Sequence, residues 1–133
     1  SSAAYLMRKG EIDLVIVGAD RITKDAVFNK IGTYMHAVAA HHHGIPFYVA
    51  APLSTFDLSR RETDIVIEER DRAELAGCGD RQLAPDDVKV LNYAFDATPL
   101  DLVDAIITEI GVLRPPYDKS FRLVSEPAES REI

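Results

Sequence analysis

Hydrophobic positions along this chain follow two periods, and the switches between them outline a domain. Residues 1–9 place Ala3, Leu6 and Met7 on one side of a short helix that Lys9-Gly10 closes. Leu14-Val15-Ile16-Val17 is a continuous apolar run, which reads as a strand buried on both faces and hence as part of a parallel sheet. Ile31, Tyr34, Met35, Val38, Ala39 and His42 recur at three- and four-residue steps before Gly44, predicting a helix with an apolar stripe. Pro46-Phe47-Tyr48-Val49-Ala50 is the next strand. Strand, helix and strand in this order make a βαβ unit with a right-handed crossover.

Beyond Pro52 the pattern loosens through Ser54-Thr55-Phe56-Asp57. Ile65-Val66-Ile67 predicts a short strand, Asp71 caps a brief helix over 72–76, and Gly77 and Gly79 bracket Cys78 in a turn. Val88-Lys89-Val90-Leu91 predicts one more strand. Thr98 as N-cap and Pro99 in the first turn open a last helix, with Leu100, Val103, Ile107 and Ile110 as its stripe. From Arg114 the Pro-Pro pair and the polar tail over 125–132 predict an extended arm covering 114–133. The fold class is α/β, and no internal repeat or low-complexity tract interrupts it. An α/β domain rarely opens on a helix with no strand before it, so the chain reads as part of a longer polypeptide.

Composition narrows the function classes. The 133 residues suffice for one domain with its own core. Fifteen Lys and Arg against 22 Asp and Glu give a net charge of −7 without a basic block, which argues against nucleic acid or an anionic membrane as partner. Cys78 is the single cysteine, so an intrachain disulfide is impossible and a cytoplasmic setting is expected. No apolar run approaches the roughly 18–20 residues of a membrane span, and no signal peptide is visible.

Chemistry concentrates between residues 14 and 33. In an open α/β sheet the ligand crevice lies beyond the carboxyl ends of the strands, which is where Asp20 falls, just past the first apolar run. Gly18-Ala19 keep its approach open and the apolar strand behind it suits a general acid–base role, while Arg21 beside it pulls the other way. Its alternative is a turn or helix cap. Asn29 and Lys30, before Gly32-Thr33, sit at the expected helix start. Free N–H groups, the positive dipole end and an ammonium there would bind an anion, most simply a sugar phosphate. A solvated Lys beside an Asn cap is the plainer reading. The spacing is not that of a Walker loop.

The remaining polar clusters carry less. His41-His42-His43 cannot converge on a metal, since consecutive helix residues point about 100° apart; they suit the negative helix C-terminus. Cys78 has no His or Lys nearby in sequence to activate it. Glu68-Glu69-Arg70 is a solvated charge cluster or a brace for a crevice, and Asp96 is a turn or capping residue before the last helix.

Six ordered motifs together resemble the methylthioribose-1-phosphate isomerase family: Gly18-Ala19-Asp20-Arg21-Ile22, Asn29-Lys30-Ile31-Gly32-Thr33-Tyr34, the stretch from Gly44 to Pro52, Ser54-Thr55-Phe56-Asp57, Ile67-Glu68-Glu69-Arg70 and Ala94-Phe95-Asp96-Ala97-Thr98-Pro99. The resemblance implies a Rossmann-like C-terminal domain with a parallel sheet flanked by helices. It also implies a homodimer and a cofactor-free, metal-free aldose–ketose isomerisation in methionine salvage, from 5-methylthioribose 1-phosphate to 5-methylthioribulose 1-phosphate. In that family a cysteine works with the aspartate of the Gly-Ala-Asp motif, here Asp20, and the Asn-Lys pair contacts substrate, here Asn29 and Lys30. Two features depart from the pattern. The loop from Thr23 to Phe28 lacks the family's Asn-Gly turn, and the helical N-terminal domain, the catalytic-cysteine segment and an arginine-bearing loop are not in this sequence; Cys78 lies in the wrong place to substitute. The N-terminal part of the same enzyme is therefore an expected partner. Two relatives share the fold: regulatory subunits of the translation-initiation guanine-nucleotide exchange factor, which usually lack the aspartate, and ribose-1,5-bisphosphate isomerase. Arg21 with the Ser54 and Ile67 motifs favours the methylthioribose family.

Overall fold

A computed structural model describes residues 1–67, 69–71, 74, 77–78, 81–82 and 87–125. Three sheets organise them. The largest runs β1-β4-β8-β9. Its strands are β1 (Val15–Val17), β4 (Phe47–Ala50), β8 (Ala105–Thr108) and β9 (Gly111–Leu113). β1 pairs with β4 in parallel, Val15 opposite Phe47, and β4 with β8, Tyr48 opposite Ala105; β9 returns antiparallel on β8. The sheet is thus mostly parallel and flanked by helices, as expected. Among the described residues, however, β1 is its edge strand, and Leu14 and Ile16 are about half exposed, so the first apolar run is not buried on both faces.

Helix α1 (Ala3–Arg8) precedes the sheet, and α2 (Thr33–His42) lies between β1 and β4 in sequence. The helical period of α2 is as expected, but the buried side is not. Thr33, Ala37 and Ala40 are buried, whereas Ile31 (52 % exposed), Tyr34, Met35 and Val38 face outward. Both sides of the helix are apolar, so the larger side chains do not decide its orientation. The small alanines permit the closest approach to the neighbouring elements, and they take the inner face. Gly44, at φ +67°, follows the helix in the left-handed region that lets the chain reverse towards β4.

The second half of the chain departs most from expectation. No helix starts at Thr98. Instead Phe95–Pro99 is strand β7, Leu100–Leu102 makes a single 3₁₀ turn, and Ala105–Thr108 is β8. Ile107 and Ile110 were expected on one helical stripe with Leu100 and Val103; the β-branched run Ile106-Ile107-Thr108 prefers a strand next to β4, and Gly111 at φ +124° turns it into β9. Neither Ile65-Val66-Ile67 nor Val88-Lys89-Val90-Leu91 forms a strand, and Val66 is 94 % exposed. The expected arm is partly helical: Tyr117–Ser120 and Arg122–Ser125 form two short turns of helix, and Tyr117 and Phe121 enter the core. Most of the helix expected over 72–76 and the tail over 126–133 lie outside the described residues; a two-strand ladder, β5 (Gly77–Cys78) with β6 (Arg81–Gln82), occupies the region of the expected glycine turn.

The core sits between the large sheet and its covering elements. Phe47, Val49 and Ile106 from the sheet meet Ala37 and Ala40 of α2, Met7 of α1, and Tyr117 and Phe121 from the chain's end. Among the described residues no helix is long and apolar enough to cross a membrane.

Candidate active site

A three-stranded antiparallel sheet, β2 (Arg21–Ile22), β3 (Ala26–Lys30) and β7, carries Asn29 and Lys30 and follows directly on Asp20. The stretch from Thr23 to Phe28, read as a loop, is mostly this hairpin. Ala26, Val27 and Phe28 are all buried, and Thr23 N–H donates to Ala26 C=O at 2.9 Å across the turn. Arg21 lies opposite Phe28, and Phe28 and Lys30 lie opposite Ala97 and Phe95. Because residues alternate between faces and cross-strand partners share one, Ile22, Val27 and Thr98 turn together into the interior, where all three are fully buried. Arg21, Phe28, Lys30 and Phe95 share the other face.

Asp20 stands at the mouth of that second face. Its N–H donates to Phe28 C=O at 2.8 Å, which fixes the residue at the head of β2. With Arg21, Phe28, Phe95 and the Ile65-Val66-Ile67 segment it lines a cavity of about 250 Å³. Asp20 and Arg21 are the charged groups in an otherwise apolar lining. Arg21 is itself held: its Nη1 lies 3.5 Å from Asp57 Oδ2, which Arg60 also approaches at 3.6 Å, while Ser59 Oγ donates to the other oxygen at 2.9 Å. The Ser54-Thr55-Phe56-Asp57 motif therefore reaches the site through its last residue.

Lys30 and Asn29 part company. Lys30 is exposed on the cavity's face of the sheet, two residues from Phe28 and opposite Phe95. Asn29 turns to the other face, where its Nδ2 donates to Thr33 Oγ1 at 3.3 Å; that hydroxyl in turn donates to Lys30 C=O at 2.7 Å. Both residues end a strand and do not open the helix. The helix has Gly32, at φ +106°, as its N-cap, and two of the N–H groups at its start are already taken. Asp96 Oδ2 accepts from Gly32 N–H at 2.8 Å and Tyr34 N–H at 3.2 Å. Asp96 is indeed a cap, but of α2 rather than of a helix following it.

The sequence reading also missed the walls. Phe28 and Phe95 had one available signal, the strand-forming run Ala26-Val27-Phe28 and the Phe95-Asp96-Ala97-Thr98 stretch that pairs with it. Glu69 forms an isolated bridge with Tyr93, and Arg70 pairs with Glu74 at 2.9 Å, holding that carboxyl below its ordinary range through a side-chain hydrogen bond; Glu68 lies outside the described residues. His41 and His42 end α2, and among the described residues no group of three or more His, Cys, Asp or Glu could hold a metal ion.

Comparison with known proteins decides the family. Residues 1–115 match the model of the initiation factor 2 subunit family. The chain belongs to that family. Within it, the methylthioribose-1-phosphate isomerase of Heliobacterium modesticaldum is 58 % identical over 128 residues, covering 95 % of this chain and 37 % of the relative. The crystal structure of a 5-methylthioribose 1-phosphate isomerase from Pyrococcus horikoshii OT3 superposes with a TM-score of 0.85 at 47 % identity, covering 93 % of this chain and 35 % of that one. That of a protein named translation initiation factor eIF-2B, subunit delta, from A. fulgidus superposes at 0.86 with 58 % identity, again over 93 % of this chain and 37 % of that one. The chain thus spans little more than a third of the length of these family members and corresponds to their C-terminal part.

Proposed function

We propose that this chain is the C-terminal part of a methylthioribose-1-phosphate isomerase, a cytoplasmic, homodimeric enzyme that needs no cofactor. The reading is carried by one observation: a carboxylate, Asp20, opens onto a largely apolar cavity, and an exposed cation, Lys30, lies on the same face of the sheet as two of its walls, Phe28 and Phe95. The sugar of 5-methylthioribose 1-phosphate is locked as a ring by its phosphate at C1. Catalysis must therefore assist ring opening and then move hydrogen from C2 to C1. Asp20 takes up and returns a proton, and the walls of Phe28, Phe95 and the Ile65 segment limit water around it. Lys30 binds the phosphate as a charge-assisted contact. Asn29 is the second proposed substrate contact; its amide lies on the other face of the sheet, on Thr33, so it meets a ligand only where that ligand passes the end of β3. The N-terminal part of the enzyme supplies the other half of the pocket.

The similarity to the A. fulgidus protein, which is named as an initiation-factor subunit, favours a second reading, a non-enzymatic regulatory subunit; ribose-1,5-bisphosphate isomerase is a third. One assay separates them. The full-length protein is given 5-methylthioribose 1-phosphate or ribose 1,5-bisphosphate and ketose formation is followed. The expected result is turnover of the first alone, none by the 133-residue chain, and recovery when the N-terminal part is added. Turnover of the bisphosphate alone, or of neither sugar by the full-length protein, would overturn the proposal.

A further inference from the structure

Asp96 is the residue whose placement exceeds what a cap requires. It lies directly across the ladder from Asn29, in the row next to the one that pairs Phe95 with Lys30. One of its oxygens, Oδ2, gathers the N–H groups of Gly32 and Tyr34, residues more than sixty positions away in sequence. Gly32 occupies the N-cap position of α2 and has no side chain to satisfy those donors. A carboxylate from another strand does so instead. The turn it holds is short: Lys30 ends β3, its C=O is tied by Thr33 Oγ1, and Ile31 N–H continues the ladder to Ala94 C=O at 3.1 Å. The backbone that sets the direction of Lys30 is therefore anchored on one side to β7 and on the other to the first turn of α2. Asp96 is the side chain that joins the two.

We infer that Asp96 is a positioning residue for Lys30, clamping the junction of β3 and α2 so that the ammonium stays on the cavity's face of the sheet. The inference rests on the proposed role of Lys30 in binding a sugar phosphate. Its physical content is a matter of sign. A carboxylate beside an anion site repels the anion, so if Asp96 merely blocked an anion site at the helix N-terminus, removing its charge would tighten binding. If it acts by geometry, removing its hydrogen bonds loosens the junction and weakens binding. An amide of the same shape, which keeps one acceptor oxygen, then preserves it.

The experiment uses the full-length protein with Asp96→Ala and Asp96→Asn, and reads the dissociation constant for 5-methylthioribose 1-phosphate by calorimetry. Asp96→Ala is expected to weaken binding by about fivefold or more, the loss typical of an acceptor serving two backbone donors. Asp96→Asn is expected to stay within about twofold of the unsubstituted protein, because its carbonyl oxygen can accept both bonds. Amide exchange at Gly32 and Tyr34 should accelerate in the alanine variant alone. Should that variant fail to fold, Asp96→Thr, suited to a strand but too short to reach both amides, takes its place with the same expectation. Unchanged affinity in the alanine variant, tighter binding in both variants, or equal weakening in both would each overturn the inference. Turnover by the unsubstituted protein is scored separately: binding without turnover counts against the isomerase and leaves the Asp96 comparison readable.

Discussion

The two main sheets of this domain are built by different means. The parallel sheet is held by apolar contact: Phe47, Val49 and Ile106 are essentially without solvent exposure and meet helices on their flanks. The antiparallel sheet is anchored on one face in the same way, through Ile22, Val27 and Thr98, but its other face ends in Asp20, Arg21 and Lys30, which the core does not need. Polar bonds organise its margins: Arg21 with Asp57 on the outward face, and, past the buried stretch of the inner face, Asn29 with Thr33 and Asp96 with the start of α2. One sheet supplies stability, and the other spends part of that stability on displaying charged groups at fixed positions. The division explains why a hairpin with two-residue β2 can hold the Asp20 carboxylate in place.

The largest expected effect falls on the stabilising sheet. Phe47→Ala opens a cavity in the centre of the core and should cost about 3–5 kcal/mol of unfolding free energy, measured by denaturant titration. In the full-length protein at a temperature where it remains folded, the variant should keep a near-normal kcat for the proposed isomerisation. A specific loss of kcat without loss of stability would erase the distinction between the sheets.

Lys30→Ala is the mirror image. It should leave the melting temperature almost unmoved, as expected of an exposed cation. It should weaken substrate binding by roughly 1.5–3 kcal/mol, seen as a raised KM, by removing a charge-assisted contact. Substrate affinity and salt dependence both unchanged would make Lys30 an ordinary surface residue.

The smallest effect concerns the chain's end. Tyr117 OH donates to Val103 C=O at 2.6 Å and fastens the last helical turns to the core. Tyr117→Phe should cost about 0.5–1.5 kcal/mol. Burial, with Asp104 adding to it, pushes the phenol well above its ordinary value. The folded state therefore keeps this proton at a pH where the unfolded chain has released it. The contribution is complete below about pH 10 and falls as pH rises past it, towards the folded value. Thermal melts of the unsubstituted chain and Tyr117→Phe should converge as pH is raised above about 10; a constant gap would mean the phenol does not ionise on unfolding.

The same division governs what the sequence made legible. Runs such as Leu14-Val15-Ile16-Val17 and Phe47-Tyr48-Val49-Ala50 announce parallel strands by their continuous apolar content, and β1, α2 and β4 stand where the pattern puts them. Burial on both faces does not hold for β1, which ends the sheet order with Leu14 and Ile16 about half exposed. Asp20, just past β1, could be read in the same way, since it follows from where strands end. The antiparallel hairpin could not. Its five-residue β3 is buried along Ala26-Val27-Phe28 and polar at Asn29-Lys30, so no simple alternation marks it, and its partner β7 lies some seventy residues downstream. The contact that seats the helix, Asp96 to Gly32, is equally non-local. At Thr98-Pro99 local cap chemistry favoured a helix, and pairing with β3 overrode it. In α2 the period was legible but not the face, because alanines and larger apolar residues occupy opposite sides and only packing chooses between them.

The division of labour is tested most directly by Asp20→Asn in the full-length protein, with kcat for the proposed isomerisation and melting temperature measured on the same preparation. Asn keeps the shape and the backbone bond from Asp20 N–H to Phe28 but cannot take up and return a proton. A fall in kcat of about 10²–10⁴-fold, the usual contribution of a general acid–base group, with a melting temperature within about 2 °C of the original is the expected result. A kcat within about threefold of the unsubstituted enzyme, well short of that range, would reduce Asp20 to a turn residue and contradict the assignment of chemistry to the antiparallel sheet.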